Sequence, residues 1–209
     1  MKVFNFIFSI SMTLLISSCS KDSLSETPIV NTLLPDYTPF TIGSSFNFSS
    51  SAGSYINIIK SDTVIFGKVY KNVANTQVGS QTYYLHQNGE YRISGVSPLH
   101  AGGLSTPLTD FLFLKGTGEV NSTWSVSVPI NTGGLKYTAR FDYKILAKDT
   151  THTTNNTVYK NVLKIEQRIV NIFGNEELPA GVNNFWYSKQ IGLIESDAIK
   201  TKLVSFSIK

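Results

Sequence analysis

The chain has 209 residues, 15% of them charged, and a formal net charge of +4 carried by scattered lysines and arginines. That distribution lacks the clustered basic footprint of a nucleic-acid-binding protein, so no nucleic-acid partner is expected. A single cysteine excludes an internal disulfide, and the length suits one domain large enough to bury a core.

The chain opens "MKVFNFIFSISMTLLISSCS". Lys2 supplies a short positive stretch, and an apolar run follows from Val3 to Ile16. About 14 residues is the length of a signal-peptide core, whereas a membrane-spanning helix needs roughly 20. The small residues Ser17 and Ser18 then lead into Cys19. The pattern "ISSC" resembles the lipobox of bacterial lipoproteins. The resemblance implies that residues 1–18 are a signal peptide removed before Cys19. It also implies that Cys19 carries a diacylglycerol and an amide-linked acyl chain such as palmitate. Several acyl chains, each contributing about 0.8 kcal/mol per buried methylene, would attach the protein to a membrane without a spanning helix. Loss of residues 1–18 removes Lys2 and lowers the formal charge from +4 to +3.

Residues 19–39 contain "SKDSLSETPIVNTLLPDYTP", rich in Ser, Thr and Pro without sustained periodicity, and are read as a tether. Ser20 stands where retained inner-membrane lipoproteins carry Asp, which implies the outer membrane. "SKD" resembles a short form of the export tag of Bacteroidota surface lipoproteins and leaves the periplasmic side or the cell surface open.

Residues 40–209 read as strands. In "LKYTARFDYKI", Leu135, Tyr137, Ala139, Phe141, Tyr143 and Ile145 share one face, and Lys136, Thr138, Arg140, Asp142 and Lys144 the other. "STWSVSVPI" places Trp124, Val126, Val128 and Ile130 inward. "LVSFSI" aligns Val204, Phe206 and Ile208, and "YKNVLKIEQRI" aligns Tyr159, Leu163, Ile165 and Ile169. Turn formers such as "QNGE", "HAGGLSTP", "NTGG", "DTTHTTNNT" and "FGNEELPAG" separate the runs, and no amphipathic helix intervenes. The expectation is an all-β, antiparallel domain of ten to twelve strands.

"VYKNV" occurs twice, at Val69–Val73 and Val158–Val162. Downstream, "TYYLHQNGEYRI" and "NFWYSKQIGLIE" align when Gly89 is set on Gly192. Upstream, each copy has a strand led by an aromatic, Phe46 or Trp124. Two meander-type repeats, about 40–110 and 111–209, are therefore expected, forming a sandwich or a curled, partly closed barrel. The layout resembles a broad set of uncharacterised outer-membrane lipoproteins of Bacteroidota. The matching residues are Gly43 with Phe46, Tyr159 with Asn161 and Val162, and Phe185 to Tyr187 with "IGLIE". That resemblance implies no reaction and carries over no functional residues.

The three histidines, His86, His100 and His152, stand at no metal-ligand spacing, so no metal or cofactor is expected. His152 is placed at a solvated hairpin tip, "LHAGGLS" in a turn, and Glu176–Glu177 on a solvated loop. The consecutive aromatics are more telling. Strand alternation sends one of Tyr83 and Tyr84, and one of Trp186 and Tyr187, away from the core unless the sheet is covered on both faces. These four are the candidate ligand-facing aromatics. Ser23, Thr63 and Thr150 lie in "DSL", "DTV" and "DTT", which resemble the Bacteroidota O-glycosylation sequon and are expected in the tether or in turns. The sequence therefore suggests a non-enzymatic lipoprotein binding an apolar, glycan or protein partner. The alternative is an envelope hydrolase whose site is assembled from scattered strand residues.

Overall fold

The computed structural model describes residues 37–76, 79, 81–102 and 106–209. Cys19, Ser23, the signal peptide and most of the tether lie outside the described residues. Twelve antiparallel strands form one sheet. The first six are β1 (Ser45–Ser50), β2 (Gly53–Ile65), β3 (Lys68–Asn75), β4 (Gln81–Gln87), β5 (Glu90–Val96) and β6 (Pro107–Lys115). They are followed by β7 (Thr123–Thr132), β8 (Leu135–Thr154), β9 (Thr157–Phe173), β10 (Glu176–Ser188), β11 (Gly192–Ser196) and β12 (Thr201–Ser207), with a 3-10 turn at Ala198–Lys200.

The spatial order is β6-β5-β4-β3-β2-β1-β12-β11-β10-β9-β8-β7, two up-and-down meanders joined where β1 pairs with β12. The sheet curls into a nearly closed barrel whose seam lies between β6 and β7. Trp124 bridges that seam, its indole nitrogen donating to the Leu112 carbonyl at 3.3 Å. The repeat is real in three dimensions. "VYKNV" lies in the third strand of each meander, the aromatic pair in the fourth, and the glycine turn leads into the fifth.

The alternation read from the sequence sets the wall. On β8, Ala139, Phe141, Tyr143 and Ile145 point into the barrel and are at most 2% exposed. Arg140 and Asp142 point out, and Arg140 pairs with Glu177 of β10. Glu176 and Glu177 thus belong to a strand rather than to a loop, because the turn before them closes within two residues and β9 pairs with β10 from Phe173 onward. "LVSFSI" departs from simple alternation. A bulge in the β1–β12 ladder turns Leu203 inward opposite Phe48 and leaves Val204 53% exposed.

Eight strands make a barrel that side chains just fill, so twelve leave width to spare. Large aromatics, and chain entering from both ends, take it up. From one end, here called proximal, come residues 37–44: Tyr37 is fully buried and its amide donates to the Tyr91 hydroxyl at 2.8 Å. From the distal end the loop after β5 folds in, with Ala101 and His100 buried in the core.

Candidate functional site

The two plugs nearly meet, and between them lies an apolar cavity of about 70 Å³. Phe46, Phe48, Ile59 and Val73 of the first meander line it, with Tyr84, Phe113, Tyr187 and His100. Phe40 from the entering segment packs tilted against Tyr84, ring centres 5.5 Å apart, and helps to close the cavity toward the proximal end. Phe40 and Tyr84 also line the mouth outside, an open cleft of about 590 Å³ completed by Thr41, Ile42, Val69, Lys71 and His86. Mouth and cavity therefore share two aromatic side chains as their partition.

His100 is the polar element of the interior. Its Nδ1 lies 2.9 Å from Ser97 Oγ and its Nε2 3.4 Å from the Tyr187 hydroxyl. Its backbone carbonyl accepts from Gln167, which also donates to the Tyr143 hydroxyl at 2.8 Å and accepts from Asn183. The ring packs between aromatics, stacked on Phe185 and tilted 4.4 Å from Phe113. Burial alone lowers its pKa to about 3, so it is a neutral imidazole at neutral pH. Of "LHAGGLS" the described part, Leu99 to Gly102, follows the turn reading, since the amides of His100 and Ala101 both donate to the Ser97 carbonyl. What sequence reasoning missed is that this turn lies inside the barrel. The available signal was a histidine flanked by Leu99 and Ala101, apolar neighbours unusual for a solvated turn.

The four candidate aromatics are divided by the wall. Tyr84 and Tyr187 face the cavity. Tyr83 faces out, its hydroxyl donating to Gln81 at 2.7 Å, and so does Trp186. Their strands β4 and β10 stand on opposite walls, so the two do not form one outward row. Trp186 is covered by His152, stacked at 4.8 Å, with Lys164 5.1 Å from its ring. His152 is accordingly not at a solvated tip. β8 and β9 continue past the ladder with β10 as an arm that lies against β10–β12. There His152 meets Glu195 at 2.7 Å, and Asn155 donates to the Leu203 carbonyl. Burial works to raise the Glu195 carboxyl, but hydrogen bonds from His152 and Thr154, with Lys202 nearby, hold it below its ordinary value. Thr63 and Thr150 lie within β2 and β8 rather than in turns, and the Thr150 hydroxyl donates to the Val162 carbonyl.

On the outer wall of the first meander, Tyr70 donates to Asp110 at 2.8 Å, and Lys68 and Arg92 both reach the same carboxylate. Burial pushes the Asp110 carboxyl up, but these partners hold it below the ordinary range. Among the described residues no group of three or more His, Cys, Asp or Glu side chains is placed to hold a metal ion.

No protein-family model matches the chain, and no curated protein matches it. Among solved structures, the chain is similar to a Bacteroides fragilis protein with a YmcC-like fold, inferred to be exported. The two are 11% identical, with a TM-score of 0.46 over 83% of this chain and 100% of the other.

Proposed function

We propose that the protein is a non-enzymatic lipoprotein of the outer membrane, anchored through Cys19, that takes an apolar group into the proximal mouth of its barrel. The cavity behind Phe40 and Tyr84 carries this reading. It is a mostly apolar space, rich in aromatic side chains, next to an open mouth. At about 70 Å³ it is well below the roughly 300–1,000 Å³ of a drug-sized pocket. It suits the end of a chain or a single ring, with the remainder of the ligand in the mouth beside Lys71. The wall itself belongs in water. Arg140, Asp142, Glu166 and Arg168 face outward, where a membrane-spanning barrel carries an apolar band.

The envelope-hydrolase reading has one observation in its favour, the Ser97–His100 contact. Against it, a histidine whose pKa is lowered to about 3 is a poor proton acceptor at neutral pH, where a general base works best near 7. Native mass spectrometry of the protein purified from its own envelope tests the binding reading. The wild type is expected to carry an extra mass that is lost on denaturation. Val73→Phe, which puts a ring into the cavity, is expected to lack it. A wild type of clean apo mass contradicts the reading.

A further inference from the structure

The proximal end of the barrel carries a feature that the fold does not require. β1 pairs with β2 only over Gly53–Ile58, and β4 pairs with β3 only over Lys71–Ala74. The remaining β2–β3 ladder, out to the pair Ile65 and Lys68, runs past both neighbours as a two-stranded finger, whose β3 side is held against the outer wall by Tyr70 and Lys68 at Asp110 while Val64, Phe66 and Val69 stay exposed. Its tip is the two-residue turn Phe66–Gly67, with φ of 48° and 74°. Left-handed backbone of this kind favours Asn or Gly. The other described two-residue turns with both residues left-handed follow that preference, with Asn88–Gly89, Gly133–Gly134 and Asn155–Asn156. Only here does the chain place a phenylalanine, and that ring is 87% exposed. Val64 and Val69, directly paired below the tip, are 70% and 55% exposed. Ile42 stands beside Val69 at the mouth and is exposed too.

A bulky apolar residue in a strained turn, fully in water, costs the folded chain twice. It gains nothing from the core, so its reason lies in what the finger touches. The connectivity of the chain points to the occupant. Strand alternation puts the finger, the mouth and the start of β1 on one end of the barrel. The segment entering there, Tyr37 to Phe40, is the continuation of the residues that follow Cys19. An anchor at Cys19 would therefore join the barrel through this end.

We propose that the β2–β3 finger is a membrane-docking element: Phe66, flanked by Val64 and Val69, dips into the acyl boundary and sets the barrel with its mouth toward the lipid. This rests on anchoring at Cys19, and the experiment separates the two. The full chain is reconstituted into phosphatidylethanolamine–phosphatidylglycerol vesicles. Because Cys19 is acylated, a cysteine introduced by Phe66→Cys is the sole free thiol and accepts a polarity-sensitive fluorophore. Leu135→Cys, exposed at the distal end, is the control. The label at position 66 is expected to shift to the blue and to be strongly quenched by lipids brominated in their acyl chains. The label at position 135 is expected to do neither. A floating, anchored protein whose two labels report the same aqueous surroundings overturns docking and leaves the anchor standing. A wild type that fails to float, or whose Cys19 takes the label, overturns both.

Discussion

His100 concentrates the chemistry of the interior at one side chain. It is fully desolvated among rings, and its folded pKa of about 3 lies below the ordinary histidine value of 6.5. The unfolded chain therefore binds a proton that the folded chain refuses across that window. Stability is complete above about pH 6.5 and is lost as the pH falls toward 3, at up to about 1.4 kcal/mol per pH unit. His100→Gln keeps a hydrogen-bonding group near Ser97 and removes the titration. Urea unfolding between pH 6.5 and 5 is expected to show a shallower loss of stability in the variant than in the wild type. Identical slopes would mean that water reaches the imidazole in the native state. Phe66 is the converse case, an apolar side chain 87% exposed at a left-handed turn position that the core does not repay.

At the scale of elements, legibility followed locality. "LKYTARFDYKI" announced β8 and both of its faces, because a one-sided strand writes its environment directly into alternate residues. The paired "VYKNV" marked equivalent third strands. Alternation foresaw that each aromatic pair would be split between two faces, yet it could not say that Tyr83 and Trp186 would stand on opposite walls, which only closure decides. "LVSFSI" misled because a bulge changes parity without a mark in the sequence. "DTTHTTNNT" is the mostly exposed hairpin end that its composition suggests, but it misled on His152, whose ring is covered by Trp186 and meets Glu195. The inward loop after β5 was invisible for the same reason: its burial comes from residues far away in the chain. Gly102 carries a left-handed backbone there, with φ of +61°, and a Cβ would displace the flexible Cδ1 end of Ile169. Gly102→Ala should cost about 1 kcal/mol, mainly through backbone strain, read as a lower urea midpoint with unchanged slope. A midpoint equal to that of the wild type would show that the loop is not seated in the barrel as described.

For the whole molecule, two meanders close on each other and leave their inequalities at the proximal end. There the first meander overhangs as the finger, the chain enters, and the core stops short enough to leave a cavity. On the proposed reading, an anchor at Cys19 joins the barrel at this end, and the apolar group the mouth receives comes from the membrane side rather than from bulk water. The most direct test is photocrosslinking of the membrane-anchored chain with phospholipid carrying a diazirine near the acyl terminus, followed by peptide mapping. Adducts are expected on residues 62–71 and 40–44, with further label on Tyr84 or His86 inside the mouth. Adducts confined to the distal turn at 133–137 or spread over the charged wall of β8 and β9, or none in the barrel at all, would contradict the account.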